Sequence, residues 1–412
     1  MKPTEEELAR LTEIYQDLHR HPELSLQETR TAGVVAGFLR ELDIEVLDQF
    51  GVTGVVGIHR NGAGPTVYLR ADMDALPVAE ETGLDYASTV PGVMHACGHD
   101  MHVTCLLGAA QQLRACEAHW RGTVVYLFQP AEETGEGALA MLADPRMADL
   151  PKPAAVLGQH VGPLPSGHVL LRPGPTMAAS DSLRITMHGV GGHGSQPEST
   201  IDPVYIAAST VVRLQSIVSR EIAPATPVVV TVGSLHAGTK ENIIPATATL
   251  EVNIRTFSPE SRQHVLSAVE RIARAEAAAS DAPKPPDIET IGSFPVTVND
   301  AALAERLTAA FETALGGERV GVIEPVNGSE DFMRFGAHFE VPSVFWFFGG
   351  TTPPADQAST PAAKLPVSRD QASNHSPHFA PLVHPTLETG VLALVTAARQ
   401  VLDSAATDVG PG

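Results

Sequence analysis

The helix-like run TCLLGAAQQLRA (residues 104–115) precedes the apolar run TVVYLFQ (residues 123–129), and this order decides the fold class. A second apolar run, AAVLGQH, follows at residues 154–160. Strands that alternate with helices in this way are typical of an α/β sheet. We therefore expect an α/β protein whose main domain has a mixed sheet flanked by helices.

The N-terminal region predicts two helices and a hairpin. Thr4 and Glu7 fit a capping box, and apolar residues then recur at helical spacing at positions 8, 11, 15 and 18. A second helix is expected over residues 29–42. Two β-rich runs flank the turn signal Asn61-Gly62, which predicts that they pair as a hairpin.

From about residue 180 the pattern becomes that of a small α+β domain. The segments LRITMHG, PVVVTVGSL and ATLEVNIRTF read as strands, and Asp202-Pro203 and Ser258-Pro259 are helix-start signals. We expect residues 180–291 to form this inserted domain. The larger domain would then consist of residues 1–179 and 292–412.

Composition and charge exclude several classes of partner. With 27 Lys and Arg against 48 Asp and Glu, the net charge of -21 disfavours nucleic acid and anionic membrane surfaces. No run reaches the roughly 20 apolar residues of a membrane span, and no secretory signal is evident. Three cysteines without such a signal favour a cytoplasmic protein with reduced thiols. Small molecules or other subunits are the expected partners.

The loop MHACGHDMH, residues 94–102, concentrates metal-binding side chains. Its Cys97 and His99 form a Cys-x-His pair, which can supply two ligands from one short segment. A buried cysteine beside hydrogen-bonded histidines is the structural alternative. Other ligands would have to come from elsewhere in the chain.

Three more segments offer such side chains. Glu132 and Glu133 follow the run TVVYLFQ, so that in extended backbone one carboxylate could bind a metal while its neighbour faces a water. We expect these residues and His160 just beyond strand ends, where open α/β sheets place their sites. His375 lies in the loop SNHSPHF. Solvent-exposed surface is the ordinary alternative for each of them.

The glycine pattern GVGGHG at residues 189–194 resembles a dinucleotide-binding motif. The next predicted helix starts only near Asp202, so these glycines cannot place its N-terminus against a pyrophosphate. A flexible loop that presents His193 is the better interpretation. On ATLEVNIRTF, Ala248, Leu250, Val252 and Ile254 share one face, while Arg255 lies on the other.

Taken together, these segments resemble the M20 metallopeptidase family, most closely its amidohydrolase branch of hippurate hydrolases, N-acyl-amino-acid amidohydrolases and auxin-conjugate hydrolases. The matching stretches run in family order over nearly the whole chain: HRHPELSLQE, LRADMDALPVAEETG, MHACGHDMH, FQPAEETGEGA, GQHV, GGHGSQP, NIIPATATLEVNIRTF, GSEDF and NHSPHF. The resemblance implies a metal-dependent hydrolase of N-acyl-amino acids.

The resemblance also implies a role for individual residues. It makes the following residues the ligands of a two-metal site: Cys97, His99, Glu133, His160 and His375. A thiolate, imidazoles and a carboxylate together suit Zn, Ni, Co or Mn, and the thiolate favours zinc. Glu132 becomes the general base. The inserted domain becomes a lid or dimerisation domain of a homodimer or homotetramer. On it, His193 would reach a neighbouring subunit's site, and Asn242 and Arg255 would bind substrate.

The chain departs from the wider family at Asp72-Met73-Asp74, where that family has a His-x-Asp motif. The departure favours the amidohydrolase branch, with Asp74 orienting a metal ligand. Residues 351–372 predict a long loop before His375. Three alternatives stay open: a dipeptidase or carboxypeptidase of the same family, a cysteine hydrolase with Cys97 as nucleophile, and a non-catalytic, metal-stabilised binding protein.

Overall fold

The computed structural model describes residues 3–352 and 372–404. The chain divides into two compact units. The first comprises Met1–Thr176, Val298–Glu324 and Asp331–Gly412, and the second comprises Met177–Thr297 and Pro325–Glu330. Residues 325–330 belong to the second unit, whereas the expected division placed them in the larger domain. The predicted loop at 351–372 falls almost wholly outside the described residues.

Both units contain helices and strands. Up to residue 177 these are, in chain order, α1 (Glu5–Arg20), α2 (Thr29–Glu41), β1 (Glu45–Phe50), β2 (Gly54–Asn61), β3 (Thr66–Asp72), α3 (His99–Ala115), β4 (Gly122–Gln129), α4 (Gly137–Ala143), β5 (Ala155–Pro165), β6 (Val169–Leu170) and β7 (Gly174–Met177). Then follow β8 (Ala179–His188), β9 (Gly192–His193), α5 (Pro203–Ser216), β10 (Val228–Ala237), β11 (Ile243–Ile244), β12 (Thr247–Thr256), α6 (Pro259–Ala279) and β13 (Asp287–Phe294). The last are β14 (Thr297–Asn299), α7 (Ala301–Leu315), β15 (Val320–Gly321), α8 (Met333–Phe339), β16 (Ser343–Thr351) and α9 (Thr386–Ser404).

The first unit is built on an eight-stranded mixed sheet in the order β1-β2-β4-β3-β5-β16-β6-β15. Its centre is parallel, since β3 pairs in parallel with β4 and β5, and β16 pairs in parallel with β5. All seven residues of β3 are buried, as expected for a parallel strand that is covered on both faces. The expected α/β class with a mixed sheet is therefore confirmed.

The predicted hairpin at Asn61-Gly62 is wrong. Gly62 does turn the chain, with a φ of +81°. However, β4 lies between the two flanking strands, antiparallel to β2 and parallel to β3. The apolar β3 gains two parallel neighbours in the middle of the sheet by this arrangement, and pairing directly with β2 would have displaced one of them.

The helices of the first unit follow their sequence signals. The capping box at Thr4 and Glu7 is present, and Leu11, Tyr15 and Leu18 of α1 are buried. Helix α3 is the central helix, since within it only Gln111, Arg114 and Ala115 are not buried. Among the described helices, none combines the length and apolar character that a membrane crossing requires.

The second unit has a four-stranded antiparallel sheet in the order β10-β12-β8-β13. The predicted apolar face of β12 is buried in a separate core with residues of β8, α5 and α6. Helix α5 starts as expected, with the Asp202 side chain accepting from the N–H of Val204 at 2.8 Å and Pro203 in its first turn. The glycines at 189–194 therefore do not begin a helix.

Candidate metal centre

The loop that carries Cys97 and His99 enters α3 through Gly98. The φ of Gly98 is +85°, a left-handed conformation that glycine adopts without steric cost. A Cβ at this position would lie 2.4 Å from Cγ1 of Val161. Both constraints require glycine, and this glycine sets the directions of the two flanking side chains.

We expect Gly98→Ala to lower the free energy of unfolding of the metal-free protein by about 2–5 kcal/mol. A left-handed alanine costs about 1–2 kcal/mol, and overlap with Val161 adds a packing cost of about 1–3 kcal/mol. Urea denaturation measures the loss. Gly92→Ala is the matched control, because Gly92 has a φ of +75° but no described atom within 4 Å of an added Cβ. Equal losses in the two variants would refute the steric argument.

Four segments bring the five predicted ligands together. Sγ of Cys97 lies 3.4 Å from Nε2 of His160. Oε1 of Glu133 lies 3.9 Å from Nε2 of His99 and 3.3 Å from Nε2 of His375. The ligand atoms form two groups, each within 4.8 Å: Cys97 with His99 and His160, and Cys97 with Glu133 and His375. The two groups share the thiol.

Two of these atoms are buried and make no hydrogen bond of normal geometry with a described residue: Nε2 of His99, and Oε1 of Glu133 despite its 3.3 Å distance from Nε2 of His375. Buried polar atoms are rarely left in this state unless an ion or a water satisfies them. On His160, Nδ1 donates to the carbonyl of Val161 at 2.7 Å, so the lone pair of Nε2 faces the thiol. Burial, with the nearby His102, also lowers the pKa of His160 well below its usual value, which keeps it neutral as a ligand must be.

Asp74 holds two of the candidate ligands. Its carboxylate accepts from Nδ1 of His99 at 3.1 Å and from the backbone N–H of Glu133 at 3.0 Å. Ser25 donates to it at 2.8 Å. Burial alone would raise the pKa of Asp74, but the hydrogen bonds and the charge of His99 lower it below its usual value. An ionised Asp74 fixes Nδ1 of His99 as a donor and leaves Nε2 for a metal.

Both ring nitrogens of His102 are engaged by other groups. Nδ1 donates to Asp72 at 2.6 Å, and Nε2 accepts from the N–H of Val161 at 2.8 Å. Asp100, also in the first turn of α3, accepts a hydrogen bond from Nδ1 of His19 at 2.6 Å rather than from a candidate ligand. The hydrogen bonds of His102 and Asp100 therefore stabilise the segments that carry the candidate ligands.

Arg70, which was not among the predicted residues, is fully buried in the apolar strand β3. Its guanidinium donates to Asp72 at 2.6 Å, Asp331 at 3.0 Å and Gln129 at 2.8 Å. Arginine is almost never fully buried unless it is paired. An arginine in the middle of the apolar run TVYLRAD was the available signal.

Two local predictions about the ligand segments are wrong. Glu132 and Glu133 lie in a turn rather than in extended backbone, because Ala131 adopts a φ of +48° after β4 has ended at Gln129. Their carboxylates nevertheless both approach His99 within 4.8 Å. His160 lies in the middle of β5 rather than at its end, because β5 stays paired with β16 as far as Pro165.

The remaining predicted residues lie in the second unit. His193 of β9 pairs with Ile243 of β11, and the carbonyl of Asn242 accepts from Gly194 at 2.9 Å. Nδ1 of His193 accepts from the backbone N–H of Ser195 at 3.1 Å. Because Nδ1 is an acceptor, the proton of the neutral ring is on Nε2.

Arg255, also in the second unit, is held at the end of β12. Its Nη1 donates to Oγ of Ser329 at 2.6 Å, and its Nε donates to Oδ1 of Asn253 at 2.9 Å. Burial lowers the pKa of its guanidinium. The side chain is therefore positioned rather than free in solvent.

Comparison with known proteins identifies the family. Residues 68–374 match the family described as peptidase family M20/M25/M40. An N-acetylcysteine deacetylase of Bacillus subtilis is 38% identical over 385 residues, which cover 92% of this chain and 97% of that protein. A hippurate hydrolase of Campylobacter jejuni is 38% identical over 325 residues, which cover 78% and 84% respectively.

A solved structure agrees with this assignment. It is that of a Bacillus subtilis protein described as a dinuclear metal-binding peptidase from the M20 family, with a TM-score of 0.78 and 31% identity. The match covers 97% of this chain and 100% of the Bacillus subtilis chain. The chain therefore belongs to peptidase family M20/M25/M40, in its amidohydrolase branch, and is a hydrolase of amide bonds.

Proposed function

We propose that the protein cleaves the amide bond of N-acyl-amino acids with the help of two divalent metal ions. The observation that carries the proposal is the convergence of five ligand-type side chains into two groups that share the Cys97 thiol. The similarity to relatives named for deacetylating N-acetylcysteine and for hydrolysing hippurate supports this substrate class. A thiolate, imidazoles and a carboxylate suit zinc, with Mn, Ni or Co as alternatives.

In this proposal Glu132 is the general base. Its side chain is only 5% exposed, and a carboxylate oxygen lies within 4.8 Å of the ligand atoms of His99 and Glu133. Bound metals would supply Lewis acidity toward the attacking water and the amide carbonyl. Glu132 would take the proton of the water and return it to the leaving nitrogen. Asp74 orients His99 and the backbone of Glu133 throughout.

The second unit would supply the groups that contact the substrate. His193 presents an N–H at Nε2, the donor needed to stabilise an oxyanion, and we assign it to the site of a neighbouring subunit. Asn242 lies beside His193 on the paired strand ends, and both would bind the substrate. Arg255 would hold the substrate carboxylate, for which a guanidinium is well suited.

We propose that this unit also joins the subunits of a homodimer or homotetramer. Helix α5 exposes Tyr205 and Val212, which are 66% and 74% accessible, and the edge strand β10 exposes Val229 and Leu235. We take these exposed apolar side chains as candidate contacts with a neighbouring subunit. Light scattering measures the mass in solution, and a monomeric mass would contradict the assignment.

The alternatives have less support. A nucleophilic cysteine needs a lowered pKa, whereas burial, together with the charge of Glu133, raises the pKa of the Cys97 thiol. A purely structural metal site needs ligands but no base, so it does not explain why the carboxylate of Glu132 lies beside His99 and Glu133.

The proposed function is tested by restoring Zn, Mn, Co or Ni to the metal-free protein and offering acetyl-Met, hippurate, an indole-acetyl conjugate and Ala-Ala. We expect metal-dependent hydrolysis of at least one acyl-amino acid. Cleavage of Ala-Ala alone would favour a dipeptidase. Tight metal binding without cleavage across a wider panel would favour a non-catalytic binding protein.

A further inference from the structure

Asn374, next to the candidate ligand His375, touches the segments of two other candidate ligands. Its Nδ2 lies 3.0 Å from the backbone carbonyl of Cys97 and 3.2 Å from that of Val161. It also lies 3.9 Å from Sγ of Cys97. One half-buried amide therefore connects three parts of the chain that are far apart in sequence.

The direction of these hydrogen bonds follows from their partners. Both are carbonyl oxygens, which only accept, so the atom that faces them is the amide nitrogen. Its two protons match the two carbonyls. The carbonyl of Val161 has a second lone pair, which accepts from Nδ1 of His160 at 2.7 Å. Asn374 and His160 are thus held by the same oxygen.

The backbone beside Asn374 has an unusual shape that these contacts hold in place. His375 has a φ of +70°, a left-handed conformation that costs a non-glycine residue about 1–2 kcal/mol. Its N–H donates to the carbonyl of Ala96 at 2.8 Å. The segment of residues 374–375 is therefore pinned across residues 96–97, and the imidazole of His375 is directed toward Glu133.

We propose that Asn374 is a positioning residue that locks Cys97, His160 and His375 into one metal-binding geometry; this inference rests on the metal site proposed above. The side chain binds no metal in this role. It fixes the relative placement of the three ligand segments before the metal arrives, so less ordering is required on binding.

Other side chains cannot do the same. Aspartate has the shape of asparagine but no N–H, and its charge would face two carbonyl oxygens and the Cys97 sulfur. Alanine leaves both carbonyls without this donor. Serine keeps one of the two protons. The expected order of metal affinity is therefore asparagine, then serine, then alanine and aspartate.

The test measures the zinc dissociation constants of the full-length metal-free protein by competition with a chromophoric chelator. It also measures the absorption spectrum of the cobalt-loaded protein, in which the charge-transfer band of a cobalt–thiolate bond shows whether Cys97 binds the metal. We expect Asn374→Ala to weaken zinc binding about 10–100-fold, the usual effect of losing a partner of a metal ligand. Asn374→Asp should weaken it at least as much, and Asn374→Ser less. The cobalt spectrum should change in the first two variants.

Asn61→Ala is the matched control for a loss of stability alone. Asn61 is also half-buried, and its Nδ2 also donates to two backbone carbonyls, those of Glu117 and Trp120, each at 2.8 Å. These partners follow the far end of α3, a helix of 17 residues that spans about 25 Å. Thermal midpoints of the metal-free variants show how much stability each substitution removes. Asn61→Ala should leave the zinc affinity and the cobalt spectrum unchanged.

Two results would overturn the inference while the metal site stands. One is wild-type affinity and spectrum in the Asn374 variants, when Cys97→Ala and His375→Ala bind zinc poorly. The other is an equal loss of affinity in Asn61→Ala and Asn374→Ala, which would show a general effect of stability. If Cys97→Ala and His375→Ala also bind zinc like the wild type, the proposed metal site itself fails, and the inference fails with it.

Discussion

Glu132→Gln is expected to lower kcat about 10²–10⁴-fold, the usual worth of a general base, while the protein keeps its full metal content. Glutamine fills the same space but cannot take a proton from water at neutral pH. The buried position of Glu132 beside His99 and Glu133 leaves a carboxylate where the water would be activated. Steady-state hydrolysis of the best substrate, with metal analysis of the same sample, measures both quantities.

The adjacent residue provides the control. Glu133→Gln alters a candidate ligand, so its loss of activity should be accompanied by weaker metal binding and should be partly restored by excess metal. Glu132→Gln should not respond to added metal. If both variants lose metal equally, or if Glu132→Gln keeps wild-type kcat, Glu132 is not the base.

Removal of the metals, or of their shared ligand in Cys97→Ala, is expected to abolish hydrolysis. It should also lower the free energy of unfolding, since a ligand present at 100 times its Kd contributes about 2.7 kcal/mol. Because burial and Glu133 raise the pKa of the Cys97 thiol, metal binding must displace its proton. Zinc affinity should therefore fall as the pH falls. Proton release on zinc titration of the metal-free protein measures this directly.

Cys105→Ala is the control for removal of a buried thiol. Cys105 is fully buried in α3, and its thiol faces the carbonyl of Leu387 rather than the candidate ligands. Cys105→Ala should bind as much metal as the wild type, and its hydrolytic activity should still depend on the metals. Alkylation of Cys97 should be slowed by bound zinc. Inactivation at Cys97 that is indifferent to zinc and chelators would support the cysteine nucleophile instead.

Local signals in the sequence predicted much of the fold. The capping residues Thr4, Asp202 and Ser258 each mark the start of an observed helix. The alternation in ATLEVNIRTF predicted the buried face of β12. The separation of β2 from β3 could not be predicted in this way, because it depends on β4, which follows some 50 residues later in the chain and pairs with both strands.

Residue type and family resemblance predicted which residues are candidate ligands, but they did not predict the shape of the segments that carry them. A positive φ at Ala131 turns Glu132 and Glu133 out of the strand, although alanine carries no signal for such a conformation. The continuation of β5 past His160 depends on its pairing with β16. The contact of Arg70 with Asp331 and that of Asn374 with Val161 join residues that are more than 200 positions apart, and they became visible only in three dimensions.

The place of β16 between β5 and β6 has a consequence for biosynthesis. β5 ends at Pro165 and β16 begins at Ser343, so roughly 180 residues must be synthesised before the gap in the sheet can close. At about 5–20 residues per second this takes about 10–35 s. During that interval the second unit, which has its own core, can fold on the ribosome. The nascent first unit meanwhile exposes an unpaired apolar edge at β5, a natural substrate for chaperones that shield growing chains.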